Sequence, residues 1–181
     1  MQIVQARVIN FDSYSKEAWH ILNTSSYTEG SGSKQFEASF DARSDVVACI
    51  NSIGDETHPQ SSYGTKLSAI ETLRKIAKTI LLAEDTLGSE VRKEFQHETC
   101  LSDIMLRVAE SMSPEEQRCA GANTDAKGSL ATKLRWVCDE AKSYCLEGFD
   151  GLRDVLALIE PRDLVSEHGK DRLQQPRMSM A

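Results

Sequence analysis

Groups able to do chemistry are scattered through this chain. His97 and Cys100 stand three residues apart, on one helix face if a single helix runs through both. With Cys119 or His168 they would begin a zinc site. Structural zinc sites bring a second close-spaced pair, however, and the chain has no C-x-x-C and no such partner pair. A cysteine nucleophile needs a base or a cation beside it to populate the thiolate. Cys100 near His97 and Cys119 next to Arg118 are the local candidates. Cys138 and Cys145 lie two turns apart, roughly 10 Å along a helix, which excludes a disulfide between them within one helix. Packing as small apolar groups is the role that spacing implies. Glu90, Glu94 and Glu98 recur every fourth residue, but Arg92 and Lys93 interrupt them. A solvated helix face laced with weak ion pairs explains that pattern better than a cation site.

The more informative cluster is basic. Arg74, Lys75 and Lys78 fall on one helix, and Arg92 and Lys93 follow across a short turn at residues 85–89. If the two helices are antiparallel neighbours, these five make a positive region in an acidic chain. Such a region can receive an acidic partner segment or a phosphate group. The plain alternative is an ordinary solvated helix face. A different use of polar groups would be an interior site built from His20, Tyr63, His97, Glu98 and Tyr144. That site requires them to converge on one apolar pocket.

Motifs that specify a reaction are missing. There is no G-x-G-x-x-G after a strand, no G-x-x-x-x-G-K-[ST], no H-E-x-x-H and no EF-hand loop. Gly30-Ser31-Gly32-Ser33 has the composition of a linker. No metal, cofactor or catalytic residue is expected.

The elements that must position these groups are helices. Residues 62–84 carry the longest helical pattern: Leu67, Ile70, Leu73, Ala77, Ile80 and Leu81 recur at spacings of three and four. Ile76 and Leu82 widen the stripe until little of the helix is left for solvent. Glu71 precedes Lys75 by four residues, the favourable order for an ion pair. Ahead of this central helix, residues 3–9 read as an extended arm. Ser13 or Ser15 is placed to cap a first helix that turns Trp19, Ile21 and Leu22 inward. A loop at about 24–34 leads to a second helix over 35–53, ended by Gly54 and Pro59. After the central helix, Ser89 can cap one long helix, or two with a break near 98–102. Ser113-Pro114-Glu115-Glu116 is the clearest local signal: a capping serine, a proline at the first helical position and a glutamate at the third. A loop at 121–125 precedes a helix over 127–146. Asp150 can cap a last helix, which Pro161 stops.

These elements predict an all-α fold: an irregular bundle of about six or seven helices over residues 1–160, with a disordered tail over 161–181. No internal repeat of fixed period suggests a solenoid. A length of 181 residues suits one such domain. A net charge of -7 disfavours nucleic acid as a partner, and no apolar run approaches a membrane span. Five dispersed cysteines and no secretory pattern at the first residues point to an intracellular protein. The function these features favour is a non-enzymatic helical interaction or regulatory module. Its expected partner is a protein, met through an acidic segment on Arg74, Lys75, Lys78, Arg92 and Lys93. The competing expectation is an all-helical enzyme or small-ligand binder with an interior polar site.

Overall fold

The computed structural model describes residues 9–25, 32–87, 101–143 and 149–160. Among these the chain forms an irregular all-α bundle of seven helices. They are α1 (Asp12–Ser25), α2 (Gly32–Glu56), α3 (Tyr63–Leu87), α4 (Leu101–Glu110), α5 (Pro114–Ala122), α6 (Leu130–Ser143) and α7 (Leu152–Ile159). Between α5 and α6 lies a small antiparallel hairpin of β1 (Thr124–Asp125) and β2 (Gly128–Ser129). No described helix is long and apolar enough to cross a membrane. The expected disordered tail at 161–181, most of the arm at 3–9 and the helix start at Ser89 lie outside the described residues.

Helix α3 is central because its apolar stripe is wide. Ile70, Leu73, Ile76, Ala77, Ile80 and Leu81 are all buried on it, and α1, α2, α4 and α6 pack around it. Burial of each large side chain among these stabilises by about 2 kcal/mol, an upper value because unfolded chains already bury some surface. Ser62 caps the helix: its Oγ accepts from the Thr65 N–H at 3.2 Å. A single core cluster runs from Phe11 through Ile159. Before α1, the Ile9 and Phe11 N–H groups donate to the Thr65 and Ser68 hydroxyls on α3, at 3.4 and 3.5 Å. Ile9, the one described residue of the expected arm, therefore lies on the bundle.

The local signal at residue 113 holds in full. Ser113 accepts from the Glu116 N–H, and the Glu116 carboxylate accepts from the Ser113 N–H at 2.8 Å, a complete capping box.

Other expectations are corrected. Helix α1 starts at Asp12, ahead of Ser13 and Ser15, and the Asn10 side-chain oxygen just before it accepts the Asp12 N–H at 3.0 Å. Trp19 is not in the core: Ala18 and Leu22 face inward, and Trp19 is 57% exposed. Leu82 is likewise outside, at 54%, on the stripe opposite the buried one. Gly54 does not end α2, which continues to Glu56. It is a close-approach site instead, since a Cβ there would meet Ile104 Cδ1 of α4 at 3.0 Å. Lys75 does not pair with Glu71; it reaches Asp12 on α1. Part of the loop expected at 121–125 is the end of α5 and the first strand of the hairpin. Gly128, at φ 111°, permits the turn back. The next helix accordingly starts at Leu130, capped by Ser129 Oγ on the Thr132 N–H. At α7, Asp150 offers its backbone carbonyl to the Arg153 N–H, and Gly151 occupies the cap position with no side-chain bond.

Candidate functional site

The face of α3 that its core stripe leaves free carries Glu71, Lys75, Lys78 and Leu82, one residue per turn. On one side stands α1, presenting Trp19. On the other stands α6, whose inward stripe of Leu130, Leu134, Val137, Cys138 and Ala141 leaves Thr132, Lys133 and Trp136 on its outer side. The hairpin closes one end with Asp125 and Lys127. The result is a groove of about 700 Å³. A smaller cavity of about 500 Å³ adjoins it over α1, sharing Trp19, Lys75 and Thr79 with it and adding Lys16 and His20.

The groove combines aromatic surface with positive charge. Both tryptophans of the chain line it. Trp19, Leu82 and Trp136 (39% exposed) account for three of the four exposed large apolar side chains among the described residues. Among the described residues five cations line it: Arg74, Lys75, Lys78, Lys127 and Lys133. The Lys78 ammonium stands 5.2 Å from the centre of the Trp136 ring, a cation–π contact that bridges α3 and α6.

Acidic residues partly balance these cations. Lys75 meets Asp12 at 2.6 Å, and this hydrogen bond, above all, holds the Asp12 carboxyl below its ordinary value. Lys133, its side chain 9% exposed, reaches Asp125 at 2.9 Å and Glu71 at 3.5 Å, joining α6, the hairpin and α3. The Lys133 bond, followed by the Lys127 N–H, lowers the Asp125 carboxyl. Arg74 is the group left short. It is 8% exposed, its Nη2 comes only to 3.7 Å from Glu71, and its buried Nε has no hydrogen-bond partner. A buried donor in that state costs about 1–3 kcal/mol.

Arg74, Lys75 and Lys78 thus share one groove, with Lys75 held by α1. Arg92 and Lys93, the other two residues of the expected basic region, lie outside the described residues. Lys127, Lys133, Trp19, Leu82 and Trp136 are members the sequence reading did not assign. Trp136 carried a usable signal, because it falls off the apolar stripe of its own helix.

The other chemical candidates gain little. Of the interior polar set, His97, Glu98 and Tyr144 lie outside the described residues. His20 sits on exposed α1 beside Thr79, and Tyr63 begins α3 sixteen residues earlier, about 24 Å along the axis. These two do not converge. Burial pushes the Cys49 and Cys138 thiols up to about 11, so neither is poised as a nucleophile. Cys119 is exposed, its Sγ 3.8 Å from a Glu115 oxygen. No cluster able to hold a metal ion occurs among the described residues. No protein-family model, no curated protein and no solved structure matches this chain.

Proposed function

We propose that this protein is a non-enzymatic interaction module whose groove between α1, α3 and α6 receives an acidic segment of a partner protein. The observation that carries the reading is the meeting of both tryptophans with five cations in one groove of a chain whose net charge is -7. Aromatic anchors supply contact energy in protein interfaces, and complementary charge supplies orientation and encounter rate. An amphipathic acidic helix fits this arrangement: apolar side chains against Trp19, Leu82 and Trp136, and carboxylates towards the lysines.

Both tryptophans lie in the groove, so intrinsic fluorescence reads occupancy directly. The test titrates the full chain with a degenerate pool of acidic, leucine-containing peptides and with a basic pool of equal length. The acidic pool is expected to shift the emission saturably, and the basic pool to leave it unchanged. Lys78→Glu and Trp136→Ala should each weaken binding at least tenfold with the far-ultraviolet circular dichroism unaltered. Binding equal to wild type in both variants would remove the groove as the docking surface. Lys75→Glu is the poorer probe, since it also breaks the tie to Asp12.

A further inference from the structure

We propose that the floor of this groove is an oxyanion site and that it takes the phosphoryl group of a phosphorylated side chain carried by the docking segment. This deepens the docking reading and rests on it. Arg74 is the starting point. Its guanidinium offers five N–H donors, yet Nε is buried without an acceptor and Nη2 has only the 3.7 Å approach to Glu71. A charge-assisted bond would be about 2.7–2.9 Å. A cation more than nine-tenths buried against a cavity wall, with donors unspent, is matched by an oxyanion entering that cavity.

The surrounding charges select the kind of oxyanion. Arg74, Lys75, Lys78, Lys127 and Lys133 line the groove, and among the described residues the carboxylates that approach them are Asp12, which Lys16 shares, Glu71 and Asp125. Among these described groups, five cations against three anions leave two positive charges. One carboxylate supplies half of what would balance them. A phosphomonoester carries about −1.5 to −2 at pH 7 and presents three acceptor oxygens. Arg74, Lys78 one turn on, and Lys133 on the facing helix are three cationic groups for three oxygens. Trp136, under the Lys78 ammonium, provides an apolar wall for the stem of the phosphorylated side chain. A long polyanion such as RNA meets the chain's overall charge of -7, whereas a single phosphoryl group meets only the local excess.

The test uses the full chain and two probes. Inorganic phosphate is titrated into Trp19→Phe, which keeps Trp136 as the sole fluorescent reporter. A saturable change is expected, with none from acetate at equal ionic strength, and at least a tenfold weaker response after adding Arg74→Met or Lys78→Gln. Lys78 is half-buried and its ammonium stands over the exposed Trp136 ring, so Lys78→Gln keeps the test valid should Arg74→Met fail to fold. The second probe is the acidic peptide pool with a fixed central phosphoserine, compared with serine and glutamate at the same place. Phosphoserine is expected to bind at least tenfold more tightly than either, and the two variants to lose the preference. Equal binding of the phosphoserine and glutamate pools would overturn the phosphoryl assignment and leave the acidic-segment reading standing. No binding by any pool would overturn both. A single-stranded oligonucleotide binding more tightly than every pool would overturn the choice of a protein partner.

Discussion

The Lys75 ammonium on α3 lies 2.6 Å from a carboxylate oxygen of Asp12, the first residue of α1. Asp12 is also approached by Lys16 one turn on, at 3.3 Å, and negative charge at a helix start is favoured by the helix dipole. The pair ties the start of α1, the helix that carries Trp19, to α3, beside the core packing of Ala18 and Leu22.

That pair makes stability depend on pH. The folded-state carboxyl of Asp12 lies below its ordinary value of 3.8, chiefly through the Lys75 bond. A depressed folded value means that the contribution is fully present above the unfolded value and is lost as pH falls through the folded one. Both side chains are more than a third exposed, at 45% and 35%, so solvent screening limits the contribution to about 0.5 kcal/mol. Asp12→Asn should therefore be less stable than wild type by about that amount at pH 7. Urea unfolding should show the gap closing as pH drops below the ordinary carboxylate range. A gap that stays constant down to strong acid would separate the effect from this ion pair.

Two glycines should respond to alanine by very different amounts. At Gly121 a Cβ would stand 1.7 Å from the Ile159 carbonyl oxygen, which is backbone and cannot yield without moving α7. Gly121→Ala should cost about 3 kcal/mol or more, at the upper end of overpacking effects. At Gly54 the nearest atoms are the ends of Ile104 and Arg107, at 3.0 and 3.2 Å, and these can shift. Alanine there gains about 1 kcal/mol of helix propensity against a similar crowding penalty, so Gly54→Ala should fall within about 1 kcal/mol of wild type. Denaturation midpoints of the two variants check both statements, and equal losses would refute the close packing of α5 on α7.

What the sequence made legible was local or periodic. The capping box at Ser113 involves four consecutive residues, and the buried stripe of α3 repeats with the helix, so neither needs knowledge of neighbours. The partner of Lys75 was not legible, because Asp12 lies 63 residues away and outcompetes the carboxylate one turn before it. The hairpin was missed for a related reason. Its four paired residues are too few to show alternation, and Gly128 alone signals the turn. Of the site, Arg74, Lys75 and Lys78 could be read from α3. Trp136 could be suspected because it falls off the apolar stripe of α6, whereas Trp19 and Lys133 required knowing which faces of α1 and α6 the core leaves uncovered, and Lys127 required the hairpin.

Thiol reactivity should separate the described cysteines. Burial, the first cause for both, pushes Cys49 and Cys138 up to about 11. At pH 8 the thiolate fraction of each is then on the order of one in a thousand. Cys119 is exposed. Brief iodoacetamide treatment of the folded protein, followed by peptide mass mapping, should label Cys119 and spare Cys49 and Cys138. Prior denaturation should label all three. Early labelling of Cys138 would mean that α6 opens from the core on the timescale of the reaction.

The Lys78–Trp136 contact offers the sharpest separation of folding from binding. Trp136 is 39% exposed and Lys78 half-buried, so the pair sits at the wet edge, where a cation–π contact contributes about 0.5–1 kcal/mol. A double-mutant cycle with Lys78→Met and Trp136→Leu should return a coupling of about that size in unfolding experiments. Docking should suffer more than folding does. An aromatic anchor lost from the centre of an interface costs about 2 kcal/mol or more, and in the proposed complex the lysine's charge would meet the partner's carboxylates as well as the Trp136 ring. Raising the salt from about 0.1 M to about 1 M shortens the screening length from about 10 Å to about 3 Å. Peptide affinity in wild type should fall accordingly, while the salt dependence is reduced in Lys78→Met and retained in Trp136→Leu. An unfolding penalty as large as the binding penalty would instead make Lys78 and Trp136 a strut between α3 and α6.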